Sequence, residues 1–299
     1  MTTDIRKEIR ICTVMYGGVS LAIYMNGIAR ELYDLVRGRG MWGVLKLLTD
    51  TDVTVDITSG TSAGGINGLF LSYALCNERE FAPLANMWRE KGGIKQLLQK
   101  PDDKNANSLI NSAYMQEALQ RALDDMGTIE EGNEIAPTPT QKLDCFMAVT
   151  RFDGHTWNIH DFRDKNVTLK SYKGIIHLKH RKGRWEEFNA LRGEGLDTKT
   201  LSEVARATSS FPFAFEAQYL DGSKLASSYW AGKSPLDKDE KAWFIDGGVL
   251  DNKPFGPALA EIYKRHASHP VDRLLFYVEP DPADKQDKAP STGGTNVLQ

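Results

Sequence analysis

The stretch that most limits what this chain can become is residues 53–76, VTVDITSGTSAGGINGLFLSYALC. Residues 53–58 are β-branched at alternate positions, which reads as a buried strand. Residues 66–76 form an apolar run too long for a strand and too short to cross a bilayer, so they read as a core helix. Between them stands Gly60-Thr61-Ser62-Ala63-Gly64-Gly65. Strand, G-x-S-x-G, helix is the sequence form of a nucleophile elbow. A serine on so sharp a turn needs small neighbours, because the backbone there is strained and closely packed. The helix that follows points the positive end of its dipole at the place where an oxyanion would form. With 26 glycines in 299 residues, a chance G-x-S-x-G has a probability on the order of 0.1. The flanking strand and helix therefore carry the inference more than the motif does.

The rest of the chain reads as strands alternating with helices. Residues 9–15 are a short buried strand running into Tyr16-Gly17-Gly18. From Ser20 the apolar period becomes helical, with Leu21, Ile23, Tyr24, Ile28, Leu32, Leu35 and Val36 as the stripe. Further helices are expected at 44–48, 81–89, 94–98, 109–126 (Ser108 as N-cap), 200–208 and 257–266. Thr200-x-x-Glu203 fits a capping box, and Pro212 should end that helix. Strands are expected at 142–150, 243–245 and 274–278. Residues 151–188 read as a β-hairpin or meander beside the main sheet, with pieces at 167–172 and 175–180 joined by Lys173-Gly174. Residues 127–140 read as an exposed loop. After Pro280 the chain turns polar and Gly/Pro/Lys-rich, so one domain over 5–280 and a tail or linker over 281–299 are expected.

Alternating strands and helices imply a mostly parallel sheet covered on both faces, with active sites beyond the carboxyl ends of its strands. That rule selects three turns: Gly17-Gly18, residues 60–65, and Asp246-Gly247-Gly248. Ser62 needs a base, since a free alcohol is a poor nucleophile at neutral pH. Asp246 ends a strand, and the two glycines after it leave its carboxylate accessible, although Asp-Gly-Gly alone is also a common hairpin turn. Backbone N–H groups of Gly17, Gly18 and Val19 could bind an anion. The loop has neither G-x-G-x-x-G nor a P-loop pattern, so it is a poor nucleotide site.

In order and content these blocks resemble the patatin-like phospholipases. Gly60-Thr61-Ser62-Ala63-Gly64-Gly65 is similar to that family's nucleophile elbow, trailing glycine included. The segment from Asp246 to Pro254, DGGVLDNKP, resembles its D-G-G-x-x-x-N-N-P block, with Lys253 in place of the second Asn. The segment from Ala205 to Pro212, ARATSSFP, resembles the block that packs near its site. Residues 14–18 stand where its glycine-rich oxyanion loop belongs, with Ser20 replacing the usual basic residue.

The resemblance implies a three-layer α/β/α sandwich and a Ser62–Asp246 dyad. It also implies an oxyanion hole at Gly17, Gly18 and Val19, supported by Gly60, Gly64, Gly65, Gly247 and Gly248. The implied activity is hydrolysis of membrane phospholipid or other acyl-ester lipid, as a phospholipase A or lysophospholipase, through an acyl-enzyme. It needs no cofactor and no metal.

Two other readings share some of these residues. One is an α/β-hydrolase with a Ser–Asp–His triad completed by His266 or His269. The other is a patatin-like fold that binds lipid without cleaving it, motivated by Ser20. His155 with His160, and His177 with His180, read as polar surface or hairpin residues. Phe211, Phe213 and Phe215 are candidates for an acyl channel, with core packing as the default. Trp157, Trp185 and Trp230 are candidates for contact with a lipid interface.

A net charge of -3 gives no electrostatic reason to expect nucleic acid. Cys12, Cys76 and Cys145 sit in apolar segments, as buried thiols of a reducing compartment would. The charged N-terminus lacks the apolar core of a secretory signal. The expected setting is cytoplasmic, with transient contact at a membrane surface. Oligomeric state, lipid head group and acyl position stay open.

Overall fold

The computed structural model describes residues 7–18, 22–90, 98, 108–129, 132, 134–160, 166–182, 191, 196–221, 225, 229–230 and 241–279. Its strands are β1 (Lys7–Met15), β2 (Thr51–Gly60), β3 (Lys142–His160), β4 (Asn166–Arg181), β5 (Gln218–Asp221), β6 (Tyr229–Trp230), β7 (Lys241–Asp246) and β8 (Val271–Val278). Its helices are α1 (Ala22–Arg37), α2 (Met41–Leu48), α3 (Ala63–Asn77), α4 (Ala82–Glu90), α5 (Ser112–Asp124), α6 (Thr198–Thr208) and α7 (Phe255–Ile262).

Strands β8, β1, β2 and β3 lie side by side and parallel, and the antiparallel pairings of β4, β5, β6 and β7 are added around β3. Helices α1, α3, α4, α5 and α6 bury their apolar residues on one side of this sheet, and α7 covers the other. This is the expected α/β sandwich with a hairpin beside it, built unequally on its two faces. The sides alternate along β1 as a two-residue period requires: Ile11 and Met15 join the larger core, Cys12 and Val14 the smaller. In β2 the alternation breaks. Ile11 pairs with Val55 and Cys12 with Ile57, a bulge at Asp56 that sends Ile57 to the opposite face from Val53 and Val55.

Helix α3 is buried on every side from Ala63 to Cys76, so it shows no polar stripe. The buried stripe of α1 is Ala22, Met25, Ala29, Leu32, Tyr33 and Val36. Ile23 and Tyr24, expected within it, are exposed. Asn26 donates to Asn67 at 3.1 Å and fixes α1 against α3. Helix α2 is turned inside out. Lys46 is buried and donates to the Val36 carbonyl and the Thr138 hydroxyl, while Met41, Leu45, Leu47 and Leu48 are exposed.

Several local expectations are corrected. Strand β4 is continuous through Lys173-Gly174, and Gly174 pairs with both Val149 and Trp230. The reversal between β3 and β4 falls after His160. Asn111, not Ser108, caps α5 by accepting from the Tyr114 N–H at 2.9 Å. Asp197, not Thr200, caps α6, its carboxylate accepting from the Thr200 N–H at 2.7 Å. Helix α7 ends at Ile262, so His266 lies beyond it. The helix expected at 94–98 falls outside the described residues except for Leu98, which bridges to Ile110. The tail at 281–299 lies outside them altogether.

Candidate active site

Ser62 occupies the turn between β2 and α3 with φ 53° and ψ −126°, a left-handed conformation that a non-glycine residue adopts only under constraint. The constraints are visible. The Ser62 N–H donates to both the carbonyl and the hydroxyl of Thr208, each at 3.1 Å. Thr208 in turn donates to the Ala148 carbonyl at 2.6 Å. A Cβ on Gly60 would lie 2.6 Å from the Gly64 carbonyl carbon, and one on Gly64 would lie 2.3 Å from the Met15 carbonyl oxygen. Both positions therefore need glycine. The elbow can turn this sharply because its backbone presses directly on the end of β1.

Asp246 ends β7 and is 2% exposed. Its backbone N–H donates to the Ser210 carbonyl at 2.9 Å, and its carboxylate accepts from the Gly248 N–H at 2.6 Å. The Ser62 hydroxyl lies near enough to this carboxylate to favour its charged form. Burial raises the Asp246 pKa above the ordinary aspartate value, against the opposing pull of the Gly248 N–H, the Ser62 hydroxyl and the charge of Arg206. A Cβ on Gly247 would lie 2.1 Å from the Ala148 carbonyl oxygen, so close packing also holds the turn after Asp246.

The third turn meets the other two. Gly17 sits so close to Ser62 that a Cβ on it would lie 3.2 Å from the serine Cβ. Asn252 ties the third turn down: its Oδ1 accepts from the Gly17 N–H at 2.9 Å. The Gly17 N–H, one of the three donors expected of the oxyanion loop, is thus engaged within the protein. Val19, another of the three, lies outside the described residues.

The histidines lie elsewhere. His269 bonds Glu8 at 2.7 Å beside the start of β1, and the His266 carbonyl accepts from Arg10 there. His177 and His180 face Asp144 and the Thr140 carbonyl. His155 stacks on Trp157, and His160 pairs with Asn166 at the end of β3. The triad reading thus has neither of its proposed histidines at Ser62. A cavity of about 910 Å³ does open beside His266 and His269, at the opposite end of the sheet from Ser62.

A family model described as patatin-like phospholipase matches residues 13–259. The chain belongs to the patatin-like phospholipase family. It is also 30% identical over 315 aligned residues to the uncharacterized membrane protein Rv3479 of Mycobacterium tuberculosis, covering 93% of this chain and 28% of that protein. The chain thus spans less than a third of that relative's length. Among the described residues no helix is long and apolar enough to cross a membrane.

Three residues of this patatin-like domain escape a motif reading of the elbow and Asp246. Thr208 holds the Ser62 amide, and Asn252 holds Gly17. Arg206, 1% exposed, lies with its guanidinium 4.5 Å above the Phe215 ring. Its Nη2 donates to the Glu216 carbonyl at 3.4 Å, and burial pushes its pKa down to about 10, so it stays charged at neutral pH. Thr208 and Arg206 belong to the ARATSSFP block and Asn252 to DGGVLDNKP, so the blocks were the available signal. The partner each side chain would choose was not in the sequence. Lys253, replacing the family's second Asn, places its ammonium 4.6 Å over the Tyr16 ring.

The close packing gives a direct test. Gly64→Ala is expected to lower the reactivity of Ser62 by about 100-fold, because displacing the elbow by even an ångström spoils the geometry. It should also destabilise the fold by about 1–3 kcal/mol. Gly68→Ala on the same helix, whose Cβ would meet Thr58 at a comfortable 3.7 Å, should leave both within about 1 kcal/mol of the parent or better. Thermal melting and active-site labelling of the pair check this.

Proposed function

We propose that this patatin-like domain is a lipid acyl hydrolase in which Ser62 is the nucleophile and Asp246 the base. Ser62 Oγ attacks the ester carbonyl carbon while its proton passes to the Asp246 carboxylate. Backbone N–H groups at Gly18 and position 19 hold the oxygen that becomes negative. The tetrahedral intermediate collapses, the alcohol leaves with the proton from Asp246, and Ser62 keeps the acyl group. Asp246 then deprotonates a water that attacks the acyl-enzyme, and the released serine oxygen takes that proton back.

The observation that carries this reading is the convergence of three distant turns around Asn252, with Ser62 on one and a buried carboxylate of raised pKa on another. An ordinary carboxylate is a weak base toward an alcohol, and desolvation is what makes one stronger. The engagement of the Gly17 N–H by Asn252 favours the second reading, a fold that holds lipid without cleaving it, since it removes one donor from the oxyanion loop.

A fluorophosphonate separates the two. The expected result is a covalent adduct on Ser62, found by peptide mass spectrometry. The labelling rate should fall as pH drops through a single ionisation lying above the usual aspartate range, because only ionised Asp246 can accept the proton. Folded protein that takes no label supports the binding reading. A rate that follows an imidazole-like ionisation rules out the dyad.

A further inference from the structure

We propose that an uncharged apolar rim beside Asp246 seats this protein on a lipid bilayer, with Phe211 and Phe213 as the side chains that enter it. This deepens the acyl-lipid reading above and rests on it. Phe213 is 87% exposed and Leu109 64%, and Phe211, Val249 and Leu250 are each about half exposed. These five residues lie on segments joined to one another and to the site. The Asp246 N–H bonds the Ser210 carbonyl immediately before Phe211, and Val249 and Leu250 follow Gly248. Leu109 and Ile110 donate to the carbonyls of Phe213 and Ala214 at 3.1 and 2.9 Å.

The outward placement is built in. Phe213 has φ 69°, a conformation unfavourable for a bulky side chain, and the bonds from Leu109 and Ile110 hold it there. Phe215, two residues on, turns inward under Arg206. The loop therefore sorts its phenylalanines, and the exposed ones are not leftovers of the core.

Charge and position select the occupant. Residues 108–115, 207–215 and 247–250 contain no Asp, Glu, Lys or Arg. Stretches without fixed charge of either sign suit hydrocarbon beneath neutral head groups. A bilayer on this rim would also bring acyl esters to the carboxylate that serves Ser62, whereas a protein partner there would cover the same opening. Another exposed apolar group, on α2, precedes the start of β2 and so lies at the end of the sheet away from Ser62. One flat bilayer cannot meet both.

The test uses the full chain in a Ser62→Ala background, so that binding is read without turnover and independently of the labelling experiment. With uncharged phosphatidylcholine vesicles, sedimentation should show binding that is insensitive to salt. Phe211→Ser and Phe213→Ser should each weaken it roughly tenfold, while Leu48→Ser on α2 should not. Phe213→Trp should retain binding, and brominated acyl chains should quench the fluorescence added at that position. Four results would each overturn the proposal: binding unchanged in both phenylalanine variants, binding lost through Leu48→Ser, binding that needs anionic lipid and fades with salt, or a rim substitution that instead dissolves an oligomer. If the fluorophosphonate leaves Ser62 unlabelled while the rim still binds vesicles, the catalytic reading fails and the docking surface stands.

Discussion

Ser62→Ala is expected to lower acyl-ester turnover by a factor on the order of 10⁴ or more, with residual rate supplied by binding and the oxyanion donors alone. Asp246→Asn should cost a comparable factor while disturbing little else. The asparagine keeps the shape and an oxygen that can accept the Gly248 N–H, which now meets Asp246 at 2.6 Å. What it loses is the capacity to take a proton from Ser62. For two side chains acting as one unit, as the dyad proposal has it, the double variant should be scarcely worse than the worse single one. Mass spectrometry of lipid extracts incubated with each protein provides the readout, alongside hydrolysis of a water-soluble ester. Appreciable turnover by either single variant, with the fold intact, would sink the dyad. Thr208 and Asn252 act through others, the first by fixing the Ser62 amide and the second by fixing Gly17.

The features that sequence could place are those whose cause is local. The elbow is legible because three local signals agree: β-branched alternation before it, small residues within it, and an apolar run after it. Close approach explains the small residues, since Gly60 and Gly64 each face backbone atoms at distances no side chain tolerates. Asp246 is legible because a strand ends there and two glycines follow.

Where local signals compete, only the folded partner decides. Ser108 has the chemistry of a cap, but the amides of Leu109 and Ile110 bond to the loop at Phe213 and Ala214, and the helix begins only at Ser112. Lys173-Gly174 has the composition of a turn, yet its neighbours on both sides of β4 hold it extended. The bulge at Asp56 leaves no mark on the Val53, Val55, Ile57 alternation, because the register is a property of the β1–β2 pair. The engagement of Gly17 by Asn252 is likewise a contact between loops far apart in the chain.

The largest effect on stability is expected at the other end of the sheet, from Asp144→Ala. Asp144 is fully buried on the face that α7 covers. Its carboxylate accepts from Arg181 at 2.7 and 2.9 Å, from His177 at 2.6 Å, and from Arg265. Next to it the Asp56 carboxylate binds Arg273 through two bonds, at 2.5 and 2.9 Å. Burial alone would raise the Asp144 pKa, but the His177 hydrogen bond and the charges of Arg265 and Arg181 outweigh it and hold the group below the ordinary aspartate value. Burial lowers the His177 pKa, so the neutral ring serves as an N–H donor. Removing the carboxylate leaves Arg265 and Arg181 facing each other with their shared anion gone. That should cost about 3–5 kcal/mol in urea unfolding at neutral pH.

The sign of the pH dependence follows from the direction of the shift. Since the folded pKa lies below the unfolded value of about 3.9, the stabilisation is complete above that value. It is lost as pH falls through the lower folded pKa. The gap in stability between the parent and Asp144→Asn should therefore be constant near neutrality and narrow only in strong acid. A gap that instead changed between pH 6 and 7, the imidazole range, would mean that His177 is the group being titrated. Because Ser62 lies at the far end of the strands, the folded fraction of Asp144→Asn should still take the fluorophosphonate. Stability and reactivity would then separate along the sheet, the ion cluster at the amino ends setting the first and the three convergent turns at the carboxyl ends setting the second.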